Sequence, residues 1–292
     1  MYYLTYGILY LLSLLPLRVL FIISDFFYFL VYYIIGYRKK VVMDNLTISF
    51  PHKSEKERVQ IARKFYRNFT DNFIETIKLL SCSTDFLNRH FEGDFTILND
   101  LYTKGKKCQV HLGHNFNWEL ANAFVPLHVK QPFLVIYMPI ENKVFERLFK
   151  KMRTRTGSHL LPATDIRNAI IPWRSTQYII ALVADQSPAV PHSAFWVNFF
   201  GRPTPFVRGP ESGARNPDMA IVFANITKKK RGYYKFHLHL AEENPSTLEK
   251  GVLTARYVRF LEQVISEQPE SWLWSHRRWK FEWKPEYGPV LN

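Results

Sequence analysis

The sequence predicts an α/β fold, a mixed central sheet covered by helices, behind an N-terminal apolar helical membrane anchor. Three observations carry that prediction. Between residues 107 and 240, short apolar runs that read as strands alternate with stretches of helical periodicity. The first 37 residues hold only two charged side chains, Arg18 and Asp25. No internal repeat, low-complexity tract or long linker divides the rest, so the chain is read as an anchor, residues 1–37, followed by one domain, residues 38–292.

Taken in order, the apolar start is long enough to enter a bilayer, since roughly 20 residues span the hydrocarbon. Pro16 and the two charges interrupt it, which leaves either one tilted spanning helix or two half-buried helices. It lacks the basic start and small-residue cleavage site of a secretory signal. Tyr2, Tyr3, Tyr6, Tyr28, Tyr32, Tyr33 and Tyr37 suit a membrane interface, and Arg38-Lys39-Lys40 places the remainder of the chain on the cytoplasmic side. A pair of core helices in a soluble domain is the competing reading.

From Lys53 to Leu80 the pattern is helical. Ser54-Glu55-Lys56-Glu57 has the form of a capping box, and Val59, Ala62, Phe65, Tyr66, Phe69, Phe73 and Ile77 recur at helical spacing. These residues are expected in the core, with a groove for an apolar ligand as the alternative. Strands are expected at 107–112, 132–138, 178–184, 195–199, 220–226 and 233–240. Helices are expected at 118–124, 142–152, 166–174 and 245–268.

The net charge is +14, from 39 Lys+Arg against 25 Asp+Glu, which favours an anionic partner without choosing among nucleic acid, lipid and acidic protein. The 24 Phe, 16 Tyr and 7 Trp suit a membrane interface or an apolar groove as well as a core. Cys82 and Cys108 have no metal-ligand spacing, and two scattered thiols fit a reducing compartment. No metal site is expected.

The stretch with most chemical content is Cys108 to Leu120. It reads as a strand, a glycine turn at Gly113 and a helix start, with His114 at the junction and Glu119 five residues on. On one regular helix those two side chains would point about 140° apart. With His114 in the turn, its ring can swing back towards Glu119, and an imidazole held by a carboxylate can take a proton from a hydroxyl. A capping histidine and a solvated glutamate is the plainer alternative.

Four other blocks stand out. Ala184-Asp185-Gln186 puts a carboxylate at a strand's C-terminal end, where α/β sheets bind ligands. Arg208-Gly209-Pro210-Glu211 with Arg215 has the makings of a phosphate or carboxylate clamp. Lys228-Lys229-Lys230-Arg231-Gly232 between two strands reads as a basic hairpin turn. Trp272-Leu273-Trp274-Ser275-His276-Arg277-Arg278-Trp279-Lys280 is dense in aromatics and bases, suited to nucleobases or to a lipid headgroup layer.

The order and spacing of these blocks resemble the lipid A late (lauroyl/myristoyl) acyltransferases, part of the wider glycerolipid and lysophospholipid acyltransferase group, along nearly the whole chain. The matching features are Pro16-Leu17-Arg18, Gly36-Tyr37-Arg38, Asn45-Leu46, Ser49-Phe50-Pro51, the His114–Glu119 block, Ala184-Asp185-Gln186, Phe199-Phe200-Gly201-x-Pro203 and the Trp-x-His-Arg-Arg-Trp-Lys ending. Gly209-Pro210-Glu211 with Ala214-Arg215 is most similar to the Bacteroidetes branch; Ser212-Gly213 departs from its bulkier pattern.

The resemblance implies an O-acyltransferase with a His-x4-Glu dyad, His114 as general base and Glu119 holding its ring. The donor implied is acyl-acyl carrier protein and the acceptor a hydroxyl of an anionic, phosphorylated lipid A precursor. The place implied is the cytoplasmic face of the inner membrane. Helix-start amides and Arg167 or Arg208 are the candidate oxyanion donors, Asp185 and Glu211 the other candidate substrate-binding residues, and no cofactor is needed. Two alternatives stand beside it: the same chemistry on a lysophospholipid or amino-acid lipid, and a basic nucleic-acid-binding module.

Overall fold

The computed structural model describes residues 1–216 and 219–292. Two apolar helices open the chain, α1 (Tyr2–Leu14) and α2 (Leu17–Phe29), the second running into a π-helical turn over Leu30–Ile35. The break falls at Leu15-Pro16, because a proline cannot donate the N–H that would continue α1. Leu17–Ile35 spans 19 residues at a mean hydropathy of 1.8, long and apolar enough to cross a membrane by length and composition. After α3 (Lys39–Ser49) comes α4 (Glu55–Lys78), which starts at the expected capping box. Glu57 N–H donates to Ser54 Oγ, and Ser54 N–H donates to Glu57 Oε2.

The α/β body continues as α5 (Thr84–His90), β1 (Phe91–Gly93), α6 (Thr96–Thr103), β2 (Cys108–Leu112), α7 (Trp118–Phe124), β3 (Phe133–Tyr137), α8 (Lys143–Arg153), β4 (Ser158–Pro162), α9 (Ile166–Ala169) and β5 (Ile179–Val183). It runs on through β6 (Ala194–Phe199), β7 (Arg202–Val207), α10 (Gly209–Arg215), β8 (Ala220–Lys230), β9 (Tyr233–Glu242), α11 (Val252–Glu267) and β10 (Val290–Leu291). Seven strands form one sheet in the order β1-β9-β8-β2-β5-β3-β4, parallel except for the β8–β9 hairpin. A second sheet, β10-β6-β7, lies apart from it.

Every residue of β2 is buried, as a strand flanked by parallel neighbours and covered on both faces must be. One face packs Leu182, Ile221 and Phe223 against α3, α4 and α11; the other packs Val110, Leu112 and Val222 against α5, α6 and α7.

The apolar start is fastened to this body. Arg231, in the β8–β9 turn, pairs with Asp25 of α2 (Nη1 to Oδ2, 2.9 Å) and with the fully buried Asp71 of α4 (Nη2 to Oδ1, 2.6 Å). Ser24 of α2 also donates to Asp71, at 2.7 Å. The basic turn is therefore partly internal: Lys228 and Arg231 point inward to Asp71, whereas Lys229 meets Glu92 near the surface.

Two helix boundaries and one unexpected strand stand out among the differences from the sequence reading. Helix α9 ends at Ala169, and a separate 3₁₀ turn covers Ile171–Trp173, because Pro172 cannot extend an α-helix. Helix α11 begins at Val252 and not near Pro245, since Gly251 at its start takes φ +92°, a left-handed conformation that breaks any helix before it. Strand β7 carries Pro203 and Pro205, residues that hide a strand in sequence; they are tolerated on an edge paired only with β6.

Candidate active site

Strands β2 and β5 are parallel neighbours in register, Leu112 opposite Val183. The residue two beyond each strand end is therefore brought to the same place, and those residues are His114 and Asp185. His114 N–H donates to Asp185 Oδ2 at 2.7 Å, and its Nδ1 lies 2.5 Å from Oδ1. Trp272 Nε1–H adds a third donor, 2.6 Å from Oδ2. Asp185 is 1% exposed; burial alone would push its carboxyl up, but the facing imidazole and these N–H donors outweigh that and hold it at about 2.

Gly113 makes the approach possible. A Cβ there would meet Leu261 Cδ1 at 2.7 Å, Asn115 Oδ1 at 2.9 Å and Asp185 Oδ2 at 3.2 Å. A side chain there would force Leu261 and Asn115 to move and would crowd the carboxylate.

This is a correction to the expected dyad. The carboxylate on the imidazole is Asp185, and Glu119 is engaged elsewhere. Its oxygens accept from Arg153 Nε at 3.2 and 3.0 Å and from Arg153 Nη2 at 2.6 Å, with Trp118 Nε1 at 3.2 Å. The reason lies in where α7 starts. Asn117 is its N-cap, accepting from Leu120 N–H, so Glu119 sits in the first turn and faces Arg153 at the end of α8. Trp118 connects the two pairs, its ring edge-on to His114 with centroids 5.3 Å apart.

The opposite nitrogen, His114 Nε2, faces the side-chain amide nitrogen of Gln186 at 3.1 Å. With a donor at Nε2 and a carboxylate at Nδ1, the ring is set as the Nδ1–H tautomer with a lone pair at Nε2.

His114, Glu119 and Arg153 all open on a groove of about 740 Å³ with mainly apolar walls. Phe69 and Phe73 of α4 form part of its wall, as one of the two sequence readings of that helix anticipates. Tyr37, Phe73 and Met138 along it remain exposed.

The other candidates fall differently. Asp185 holds the histidine and is not free to bind substrate. Glu211 is 2% exposed and accepts from Gly251 N–H, Thr254 N–H and Thr254 Oγ–H, tying α10 to the start of α11. Arg208 is exposed with its guanidinium 4.9 Å from the Phe195 ring centre, and Arg167 is exposed on α9. Neither arginine lines the groove. Arg153, which no sequence motif singles out, does.

The terminal aromatic and basic block folds inward. Trp272 and Trp274 are 1% and 0% exposed, which leaves no faces for nucleobases. His276 Nε2 accepts from Ser187 N–H at 3.1 Å, and burial, reinforced by Arg278, lowers its imidazole to about 4, so it stays neutral. Arg278 is fully buried, donating to the Pro205 carbonyl at 2.9 Å with its guanidinium 4.1 Å from the Phe206 ring centre. Arg38 donates to the Ser275 carbonyl at 3.0 Å, and Asn45 to those of Trp274 and His276 at 2.8 Å each. The scattered motifs at Arg38, Asn45, Asp185 and 272–278 thus meet behind one histidine.

An imidazole held by an aspartate beside an apolar groove in an α/β sheet fits a broad class: proteins that move a proton on apolar substrates. The comparisons place the chain within it. The profile described as bacterial lipid A biosynthesis acyltransferase matches residues 1–281, and the chain belongs to that family. It is 22% identical over 246 residues to the lipid A biosynthesis palmitoleoyltransferase of Escherichia coli K12, covering 83% of this chain and 79% of that one. The lipid A biosynthesis acyltransferase of Shigella flexneri matches with the same identity and coverage.

Proposed function

We propose that the protein transfers a fatty acyl chain from acyl-acyl carrier protein to a hydroxyl of a lipid A precursor, at the cytoplasmic face of the inner membrane. The observation that carries this reading is His114, oriented by Asp185, presenting Nε2 to the apolar groove.

In this mechanism the acceptor hydroxyl takes the place of the Gln186 amide at Nε2, and His114 removes its proton as the oxygen attacks the thioester carbonyl carbon. The imidazolium that forms faces the Asp185 carboxylate, which stabilises its charge without taking its proton. The C–S bond of the tetrahedral intermediate then breaks, and His114 returns the proton to the departing thiolate. The oxyanion needs a donor or a cation within the groove. Arg153, fixed by Glu119, lines the groove and can supply positive charge there, as can Arg38, in preference to Arg167 or Arg208. Glu119 then serves the reaction through Arg153. The excess of basic residues suits an acidic carrier protein and a phosphorylated acceptor. The apolar helices α1 and α2 keep the groove beside the lipid that supplies the acceptor.

The test is transfer of a radiolabelled acyl chain from acyl-acyl carrier protein to a purified tetra-acylated lipid A precursor. Wild type should transfer, and folded His114→Ala should fall by at least about 10³, in line with loss of the base. Transfer only to a lysophospholipid would replace the acceptor. Full activity in His114→Ala would remove the base.

A further inference from the structure

The groove crosses one face of the sheet beneath α7, and strand register resolves that face into rows. Its wall includes Leu112 and Val110 of β2, Val183 and Ala181 of β5, and Val135 of β3. The residues named on β2 and β5 are two apart, so they share a face and stand roughly 7 Å from each other along the strand; Leu182 and Ile136, which alternate with this set, also border the groove. Leu112 and Val183 pair in the row nearest the strand ends, two residues short of His114 and Asp185. Val110, Ala181 and Val135 pair across three adjacent strands in the next row down.

We propose that this second row, together with Ala121 on the overlying α7, sets the length of acyl chain the groove accepts, with Ala181 and Ala121 as the specificity-determining residues. The inference rests on the acyl-transfer reading and adds where the chain must end or pass.

Two features single out these positions. Ala181 is the one residue of its row that ends at Cβ, and it sits between two valines, so the row has a notch at its centre. Ala121 lines the same groove from the helix side. The two are only 6% and 4% exposed, and both border the groove. Around them the interior is close-packed, with Val110, Phe133, Ile179 and Phe124 in one continuous cluster. A larger side chain at either alanine has the groove as its available space. Rows nearer His114 must stay open for any chain to reach the site, so the second row is the first at which length can be read.

Leucine at either position adds three carbons. A donor whose tail reaches the second row then loses the burial of its last few methylenes, each worth roughly fourfold in binding. A donor whose tail stops above the row loses little.

The test uses the full-length protein in detergent micelles, comparing wild type, Ala181→Leu and Ala121→Leu. Donors are acyl-acyl carrier proteins of 10, 12, 14 and 16 carbons, and products are read by mass spectrometry. The ratio of kcat/KM for the longest over the shortest donor should fall at least tenfold in each variant, moving the optimum to shorter chains. Ala181→Val gives a milder step in the same direction and carries the test where the leucine variant does not fold.

Folded variants with the wild-type ratio overturn the proposal, as does an equal loss at every length. Thermal stabilisation by free fatty acids of the same lengths reads the groove without turnover. Wild type that is stabilised in a length-dependent way, shifted by the variants, but transfers no chain leaves the length gate standing and removes the acyl-transfer reading instead.

Discussion

Asp185→Asn is the sharpest perturbation of this site, because the carboxylate accepts three N–H donors and an amide can accept with only one atom. Placed with its oxygen at Oδ2, the asparagine still accepts from His114 N–H and Trp272 Nε1–H. Its NH₂ group then faces His114 Nδ1, across what is a 2.5 Å contact in the wild type. Two donors cannot share that contact, so the ring gives up its Nδ1 proton and carries it on Nε2, the atom meant to receive the acceptor's proton. The same substitution in a serine-protease triad costs about 10⁴ in kcat by the same tautomer change, and a loss on the order of 10³–10⁴ is expected here, or about 4–5 kcal/mol in the barrier.

Stability should change as well. The Asp185 carboxyl is held at about 2 against an ordinary 3.8. A carboxylate with a depressed folded value contributes stability above its unfolded value and loses it as pH falls through the folded one. The contribution, about 2 kcal/mol, is therefore complete above about pH 5 and fades towards pH 2. The assay is acyl transfer at saturating substrate beside urea unfolding near pH 7, for Asp185→Asn and Glu119→Gln in parallel. Should Asp185→Asn keep kcat within tenfold of wild type while Glu119→Gln shifts the ring tautomer seen by ¹⁵N NMR, the imidazole belongs to Glu119 and its assignment to Asp185 is wrong.

Two further outcomes are expected. Glu75 is 2% exposed, accepting from Asn117 Nδ2 at 2.8 Å and Tyr234 Oη at 2.6 Å, and burial followed by the nearby Asp71 raises its carboxyl from 4.5 to about 7. The native state thus keeps a proton that the unfolded chain gives up above 4.5, so wild-type stability declines by about 3 kcal/mol between roughly pH 4.5 and 7 and is level in this term above that. Glu75→Gln should remove that slope in urea titrations at a series of pH values, and an unchanged slope would show that Glu75 is not the group responsible. Arg231→Met leaves Asp71 buried with a weaker partner in Lys228 at 3.4 Å, and should cost roughly 3 kcal/mol while loosening α2. Limited proteolysis between α2 and α4 reads the loosening; protection equal to wild type would mean the ion cluster does not hold the helix.

What can be read from the chain depends on whether the signal is local. The capping box at Ser54 and Glu57 lies within four residues, and α4 starts where it says. Helix α7 has the expected bounds because a glycine turn and a capping asparagine immediately precede it. Sequence points to the wrong partner for His114 because Glu119 is close along the chain, whereas Asp185 becomes a neighbour only through the register of two parallel strands 71 residues apart. That register depends on which strands pair, and no local pattern states it. Arg153 is hidden for a related reason. It ends a helix with Lys143, Arg147, Lys150 and Lys151, a composition that reads as a solvated basic face. Only the docking of α8 against α7 shows that the last of these cations turns inward. Arg208 and Glu211 are attractive as a clamp because they flank Gly-Pro, but the glutamate is spent on the backbone of α11.

The ion cluster that fastens α2 has a bearing on the order in which the molecule assembles. Asp25 leaves the ribosome in a largely apolar stretch and meets two arginines in the folded chain, Arg67 of α4 at 3.6 Å and Arg231, 206 residues downstream, at 2.9 Å. Until the β8–β9 hairpin exists, Asp25 has only the longer, more exposed contact to Arg67, and the buried Asp71 lacks its arginine. The N-terminal segment is made first but acquires its final seat among the last contacts, and a contact of such long sequence separation forms slowly. Final seating of α2 and completion of the groove are thereby linked in time: the helix reaches its place when the sheet that carries His114 and Asp185 is already closing.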